Sequence, residues 1–219
     1  MAVGIFGLYV ITDPDLCPGR GHVQIARSAL AGGARIIQIR DKTASDRSFY
    51  EAALRIRKLT ADADALFLVN DRVDVAAAVG ADGVNVGQTD LPVAAVRAVM
   101  GPSAIVGVSA ASIEHACQAQ TDGADYVGFG PVFATGTKPD AAAPTGLDRL
   151  AEVCGLVSTP VVAIGGIGLE NISAVAAAGA SGAAVVSAVV CADDMERAVI
   201  DLVRKFEEGA RLRDRSKAT

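Results

Sequence analysis

The chain has 219 residues, of which 51% are hydrophobic and 21% are charged, and its formal net charge is −5. A chain with this many apolar residues can bury a large hydrophobic core, which excludes disorder over most of its length. Its acidic balance disfavours a general nucleic-acid binder, so no nucleic acid is expected as a partner and any phosphate site must be local. The length suits a single closed α/β barrel, a fold that often reaches this size around one core.

The cysteines are scattered along the chain, and no CxxC pair is present. This spacing disfavours a structural zinc site and is typical of small apolar residues in a reducing compartment. The first residues lack the pattern of a signal peptide, and every strongly apolar stretch is interrupted well short of about 20 residues. We therefore expect a cytoplasmic protein with no membrane partner.

Short runs rich in β-branched residues recur along the chain, and each is followed by a stretch of helical character. Their low polarity is typical of parallel strands that are covered on both faces. In chain order the predicted strands are Gly7–Thr12, Ala34–Arg40, Ala65–Asn70, Gly83–Gly87, Ala104–Ser109, Asp125–Gly130, Val161–Gly165 and Gly182–Ser187.

The intervening segments carry the signals of amphipathic helices. Apolar residues recur at helical spacing within Phe49–Leu59 and again within Leu169–Ala176, and Pro92 suits the first turn of another helix. The last helix is predicted over about Ala192–Gly209. Beyond it, the charged segment Arg211–Thr219 is expected to fray.

Eight strands alternating with helices, with no Pro/Ser-rich linker between them, predict an α/β protein of the single (β/α)8, or TIM-barrel, type. The barrel domain is predicted over residues 1–210, with residues 211–219 as a tail. A doubly wound open sheet is the alternative, but the first strand lacks the glycine-rich turn that a dinucleotide-binding version favours.

The active site of such a barrel lies at the carboxyl ends of its strands. Gln38, Arg40 and Lys42 alternate with period two at the end of the second strand, so an extended backbone points all three to one face. Two neighbouring cations favour an anion, and a diphosphate would fit. Ordinary salt bridging at the rim, with Asp41 or its neighbours, is the alternative.

Asp71 and Asp90 end the third and fourth predicted strands. Magnesium commonly uses one or two protein carboxylates, with phosphate oxygens and waters completing its octahedron. Two aspartates beside a cationic pair therefore favour a Mg²⁺-diphosphate site. Because both residues precede predicted helices, each could instead be a helix N-cap.

Two further rim segments are candidates for binding phosphate. The longest predicted loop, about Gly130 to Gly146, contains Thr135–Lys138 and could close over a substrate, or be a plain surface loop. Gly165–Gly166 and Val186–Ser187 follow the seventh and eighth strands, where barrels often bind phosphate. A tight turn and a capping serine are the alternative. His22 and His115 are interpreted as structural.

An ordered set of motifs runs from Leu8 to Ser187. The motifs are Leu8–Asp13, Gln38–Lys42, Val69–Arg72, Ala81–Gly83, Gly87–Pro92, Gly107–Ser109, Gly123–Gly128, Gly130–Phe133, Thr135–Lys138 and Ala163–Ile167. Together they resemble the thiamine-phosphate synthase family.

The resemblance implies a (β/α)8 transferase of thiamine biosynthesis. It would condense 4-amino-2-methyl-5-(diphosphooxymethyl)pyrimidine with 4-methyl-5-(2-phosphooxyethyl)thiazole, giving thiamine phosphate and pyrophosphate. The implied cofactor is Mg²⁺, held by Asp71 and Asp90. The implied contacts to the pyrimidine diphosphate are Gln38, Ile39, Arg40, Asp41, Lys42, Asn70, Ser109 and Lys138. The implied contacts to the thiazole phosphate are Thr135, Gly136, Thr137, Gly166, Val186 and Ser187.

The mechanism implied by the resemblance is dissociative: pyrophosphate leaves first, and the thiazole nitrogen captures the resulting pyrimidine-methyl cation. Arg40, Lys42 and Lys138 would be catalytic by stabilising charge on the leaving group. This sequence departs from the family pattern at Asn85, where family members often carry His. The alternatives are a thiazole tautomerase-like isomerase, which does not need the full diphosphate set, and a non-enzymatic phosphate-binding barrel. The sequence leaves the oligomeric state open, and a homo-oligomer is one alternative.

Overall fold

The computed structural model describes residues 7–137 and 143–217. Within these residues, eight parallel strands close into a barrel in chain order, with β8 pairing back to β1. The strands are β1 (Gly7–Thr12), β2 (Ile36–Ile39), β3 (Leu66–Asn70), β4 (Gly83–Val86), β5 (Ile105–Ala110), β6 (Tyr126–Phe129), β7 (Val161–Ile164) and β8 (Gly182–Val185). The predicted (β/α)8 barrel is therefore confirmed.

Helices cover the outside of the barrel and connect the strands. They are α1 (His22–Ala31), α2 (Asp46–Asp62), α3 (Val73–Val79), α4 (Val93–Met100), α5 (Ile113–Thr121), α6 (Gly146–Leu156), α7 (Ile172–Ala177), α8 (Ser187–Val190) and α9 (Met195–Lys217). In the described part of the chain, no helix is both long enough and apolar enough to cross a membrane.

The C-terminal helix α9 differs from its prediction at both ends. It begins at Met195 rather than about residue 192, and it continues to Lys217, so most of the segment predicted as a tail is helical. Arg211 pairs with Glu207 one turn earlier, at 3.0 Å between Nη2 and Oε2, and Arg213 donates to a main-chain carbonyl before β8 at 3.4 Å. Charges at i, i+4 spacing stabilise a helix, and the hydrogen bond of Arg213 connects the end of α9 to the barrel.

The barrel has two apolar layers, which the period-two alternation of each strand separates. One set of side chains packs between the sheet and the helices. The other set fills the barrel interior: Tyr9, Ile11, Ile36, Leu68, Ile105, Tyr126, Val162 and Ala184. The interior positions continue toward the carboxyl ends of the strands, where polar side chains replace apolar ones.

Two aromatic rings cross the interior of the barrel. Tyr9 and Tyr126 are almost completely buried, and their ring centroids lie 6.1 Å apart in an edge-to-face arrangement. Gly107 on β5 provides the space, because a Cβ there would lie 2.0 Å from Cζ of Tyr126. A side chain at position 107 would therefore force the Tyr126 ring or the strand to move.

We expect Gly107→Ala to lower the free energy of unfolding by about 1–3 kcal/mol, because overpacking a rigid core displaces its neighbours. Denaturant unfolding followed by circular dichroism measures the change. Gly155→Ala in α6 is the matched control, since a Cβ there meets nothing within 4 Å and alanine stabilises a helix interior by up to about 1 kcal/mol. Equal midpoints for the two variants would contradict this account of Gly107.

Candidate active site

A cavity of about 730 Å³ opens at the carboxyl ends of the strands. This is the end at which (β/α)8 enzymes hold their active sites. Twelve of the residues that the sequence singled out lie in its wall: Gln38, Arg40, Lys42, Asn70, Asp71, Asp90, Ser109, Thr135, Thr137, Gly166, Val186 and Ser187. Lys138 lies outside the described residues.

Both predicted cations in the cavity wall are paired with carboxylates. Arg40 Nη1 lies 2.5 Å from Asp13 Oδ2, and Lys42 Nζ contacts Asp71 Oδ2. The rim salt bridging considered for this run therefore exists, but Asp13 and Asp71 supply it rather than Asp41. Burial raises the pKa of Asp13, although the nearby Arg40 guanidinium opposes that rise. The two pairs hold both cations at the cavity wall.

The carboxylates of Asp71 and Asp90 do not cap the helices that follow them. The N-cap of α3 is Arg72 and that of α4 is Pro92, and neither has a side-chain cap hydrogen bond. Asp71 Oδ2 accepts from Asn70 Nδ2 at 2.7 Å, and Asp90 Oδ2 accepts from the backbone N–H of Gly87 at 2.7 Å. The helix-cap alternative is therefore wrong for both residues.

The same two carboxylates lie close enough to interact. The pKa of Asp71 is raised, first by burial and also by the neighbouring Asp90, while Lys42 opposes the rise. Two adjacent carboxylates repel unless a cation lies between them. The pair suits a divalent cation such as Mg²⁺, which takes one or two protein carboxylates and completes its coordination with water and substrate oxygens.

Two predicted diphosphate contacts do not have side chains in the cavity wall. Ile39 is completely buried in the layer between sheet and helices, because it alternates with the inward-facing Gln38. Asp41 turns away and closes the loop after β2, accepting from the backbone N–H groups of Thr43 and Ala44 at 2.8 Å each. The side chains of Ile39 and Asp41 therefore lie outside the cavity wall, and contact of these two residues with the diphosphate stays a prediction.

His22 holds Asp41 in that orientation. Its Nε2 lies 3.0 Å from Asp41 Oδ2, and its Nδ1 lies 2.7 Å from the hydroxyl of Thr12. Burial alone would raise the pKa of Asp41, but its hydrogen bonds to the loop backbone and to His22 hold that pKa below its usual value. No partner for His22 was predicted from the sequence, and in the structure it supports the loop that carries Lys42.

At the other end of the cavity, the residues that the structure describes are neutral and present backbone and hydroxyl groups. Gly166 has a φ of 63°, and a Cβ there would lie 2.4 Å from the carbonyl oxygen of Ala134. The Thr135 hydroxyl accepts from the backbone N–H of Thr137 at 3.2 Å, and Ser187 begins α8. Both threonines face the cavity, which favours a substrate-binding loop over a plain surface loop. Gly136 lies between them but outside the cavity wall.

A chain of hydrogen bonds that sequence reasoning missed forms the floor of the cavity. Gln38 Nε2 donates to the Tyr9 hydroxyl at 2.5 Å, which lies 3.0 Å from the Tyr126 hydroxyl. Tyr126 donates to Asn85 Oδ1 at 3.0 Å, and Asn85 Nδ2 donates to Ser109 Oγ at 3.0 Å. Asn85 therefore points into the barrel, and burial raises the pKa of both tyrosines, which keeps them neutral.

Asp13 and His115 are also in the cavity wall and were not predicted as site residues. A signal for Asp13 was present, because it continues the inward alternation of Tyr9 and Ile11 beyond the end of β1. For His115, which belongs to the helix α5, no pattern in the sequence indicated the cavity.

Comparisons with known proteins identify the family of this chain. A family model described as thiamine monophosphate synthase matches residues 8–189. The thiamine-phosphate synthase of Chloroflexus aurantiacus is 54% identical over 195 residues, covering 89% of this chain and 90% of that protein. That of Methanoculleus marisnigri is 50% identical, covering 90% and 93%. The solved structure of thiamine phosphate pyrophosphorylase from Pyrococcus furiosus matches with a TM-score of 0.86 and 45% identity, covering 94% and 98%.

Proposed function

The chain belongs to the thiamine monophosphate synthase family, and from that premise we propose how its cavity works. The enzyme joins 4-amino-2-methyl-5-(diphosphooxymethyl)pyrimidine to 4-methyl-5-(2-phosphooxyethyl)thiazole, releasing pyrophosphate and giving thiamine phosphate. Its partners are these small phosphorylated molecules. We place the reaction in the cytoplasm, because the cysteines are free thiols, as is typical of a reducing compartment.

The observation that carries this proposal is one cavity with two chemically different ends. The charged end offers Arg40 and Lys42 beside Asp71 and Asp90, and the neutral end offers hydroxyl and glycine backbone groups. A diphosphate suits the first end and a lone phosphate suits the second. Two phosphorylated substrates can thus bind together with their reacting rings between the two ends.

We assign the pyrimidine diphosphate to Arg40, Lys42, Asn70 and Ser109, over the floor that contains Gln38. Lys138 is proposed for the same group on the resemblance alone. The thiazole phosphate is assigned to the neutral end, through Thr135, Thr137, Gly166, Val186 and Ser187. These assignments follow the family resemblance, and the presence of the residues other than Lys138 in one cavity wall supports them.

Charge balance supports Mg²⁺ at the diphosphate end. Among the described residues of the cavity wall, three aspartates (Asp13, Asp71 and Asp90) face two cations (Arg40 and Lys42). Even with Lys138 counted as a third cation, the charges only balance, so the wall supplies no net positive charge for a diphosphate and a divalent cation would provide it. Mg²⁺ held by Asp71 and Asp90 would neutralise charge on the departing pyrophosphate.

The described residues favour a dissociative reaction. The C–O bond to the diphosphate breaks with its electron pair on oxygen, and Arg40 and Lys42 stabilise that charge as donors. The lone pair of the thiazole nitrogen then forms the new C–N bond to the pyrimidine-methyl cation. Tyr9 and Tyr126 stay neutral because of their burial, and the described wall contains no cysteine. The wall is thus suited to orienting two substrates around the pyrimidine-methyl cation.

The test is pyrophosphate release by the purified protein. We expect thiamine phosphate and pyrophosphate in equal amounts when both substrates and Mg²⁺ are present, and neither product when any one of the three is omitted. A thiazole tautomerase would need only the neutral end, and would leave the paired aspartates and cations at the other end without a role. Isomerisation of a thiazole carboxylate phosphate without pyrophosphate release would favour that alternative and contradict the synthase.

A further inference from the structure

The floor of the cavity contains a hydrogen-bond chain with an amide group near each end. It runs from Gln38 through Tyr9 and Tyr126 to Asn85, and then to Ser109. Each tyrosine hydroxyl has one hydrogen to donate. Because Tyr126 donates to Asn85 Oδ1, its oxygen must accept from Tyr9, whose oxygen in turn accepts from Gln38 Nε2. The donors of the chain therefore all point the same way, toward Asn85.

Asn85 continues the series of hydrogen bonds by donating to Ser109. An amide nitrogen can only donate, so the contact of 3.0 Å from Asn85 Nδ2 occupies a lone pair of Ser109 Oγ. The single hydrogen of the Ser109 hydroxyl is left available. Ser109 lies in the cavity wall with Arg40 and Asp90, so that hydrogen can be directed toward a ligand.

We propose that Asn85 is a positioning residue that makes Ser109 a hydrogen-bond donor to the diphosphate of the pyrimidine substrate. The inference rests on the proposed function, because that function puts a diphosphate at this end of the cavity. Diphosphate oxygens accept hydrogen bonds, so a serine beside them must donate. An acceptor at position 85 would instead draw the Ser109 hydrogen away and turn a lone pair toward the diphosphate.

The donor direction of these hydrogen bonds is stable. Tyr9, Gln38 and Tyr126 are each at most 3% exposed, so water does not replace their partners. Burial keeps both tyrosines neutral and therefore able to donate. Reversing the chain would require the amides of Gln38 and Asn85 to turn over together.

A double-mutant cycle of Asn85→Leu and Ser109→Ala tests the proposal. Residues that act through one another have non-additive effects. Loss of one charge-assisted hydrogen bond corresponds to about 10- to 100-fold in KM. We expect Ser109→Ala and Asn85→Leu each to raise KM for the pyrimidine diphosphate to about that extent. The double variant should be no worse than the more damaged single variant, and KM for the thiazole phosphate should stay within about threefold in all three.

Asn85→Leu leaves the Tyr126 hydroxyl without its acceptor, so it could fail to fold. Asn85→Asp is the second variant, because it keeps the size of the side chain and an acceptor for Tyr126 while losing the donor to Ser109. The carboxylate also adds a negative charge, but that charge acts with and without the Ser109 hydroxyl and so cancels from the cycle. Asn85→Asp should raise KM for the pyrimidine diphosphate more in the wild-type background than in the Ser109→Ala background. Thermal unfolding of every variant reports the state of the fold.

Additive effects in both cycles would overturn the inference, and so would an equal rise in KM for both substrates. In either case, synthase activity of the wild-type protein would still support the proposed function. A wild-type protein that makes no pyrophosphate would overturn the proposed function and this inference with it. The same assay thus distinguishes the two failures.

Discussion

Asp71→Asn and Asp90→Asn are each expected to lower kcat by on the order of 100-fold or more, with the fold intact. A magnesium ion with only two protein carboxylates loses half of its charged protein ligands when one becomes an amide. Asparagine keeps the size of the side chain, and in Asp90→Asn its Oδ1 can still accept from the backbone of Gly87, so the loop geometry is preserved. The loss therefore reports charge and metal binding rather than unfolding.

Steady-state rates over a range of Mg²⁺ concentrations measure this effect. Both variants should need more Mg²⁺ for half-maximal activity than the wild type. Asp74→Asn is the matched control, since Asp74 lies in the first turn of α3, three residues after Asp71, but its side chain is 67% exposed and pairs with Arg72 outside the cavity wall. Near-normal rates in both Asp71→Asn and Asp90→Asn, with no change in the Mg²⁺ requirement, would contradict the proposal that these two residues bind the metal.

Ser187→Asp is expected to raise KM for the thiazole phosphate by about tenfold or more, with KM for the pyrimidine diphosphate nearly unchanged. Ser187 lies at the neutral end of the cavity, where backbone and hydroxyl groups surround the proposed phosphate. A new carboxylate near a phosphate repels each of its charges by on the order of 1 kcal/mol at contact in water. Two such charges correspond to more than a tenfold change in binding.

The two Michaelis constants, measured with the other substrate saturating, separate a local effect from a general one. Ser103→Asp is the control, because Ser103 is exposed and precedes β5, at the end of the barrel opposite the cavity. That variant should leave both constants unchanged. An equal rise of both constants in Ser187→Asp would place Ser187 outside the thiazole phosphate site.

The positions of the strands could be predicted because each is a short apolar run between turn signals, and β1 was predicted with its observed bounds. The other strands were predicted to within two residues at each end, since their flanking glycines and polar residues mark where the apolar run stops. The end of α9 was not predicted. Its last turns depend on a charge pair and on a contact with the barrel, and neither leaves a hydrophobic period in the sequence.

The sequence by itself determined the (β/α)8 fold and the polar residues found at most of the strand ends, because strand alternation and strand ends are local properties of the chain. Only the tertiary structure decided which of those residues work together. It paired Arg40 with Asp13, across 27 positions, and it turned the adjacent Asp41 away toward His22. It joined Tyr9 to Tyr126 across 117 positions and led their hydrogen bonds to Asn85. Such partners meet only when the barrel closes, because closure brings strands that are distant in the chain around one interior.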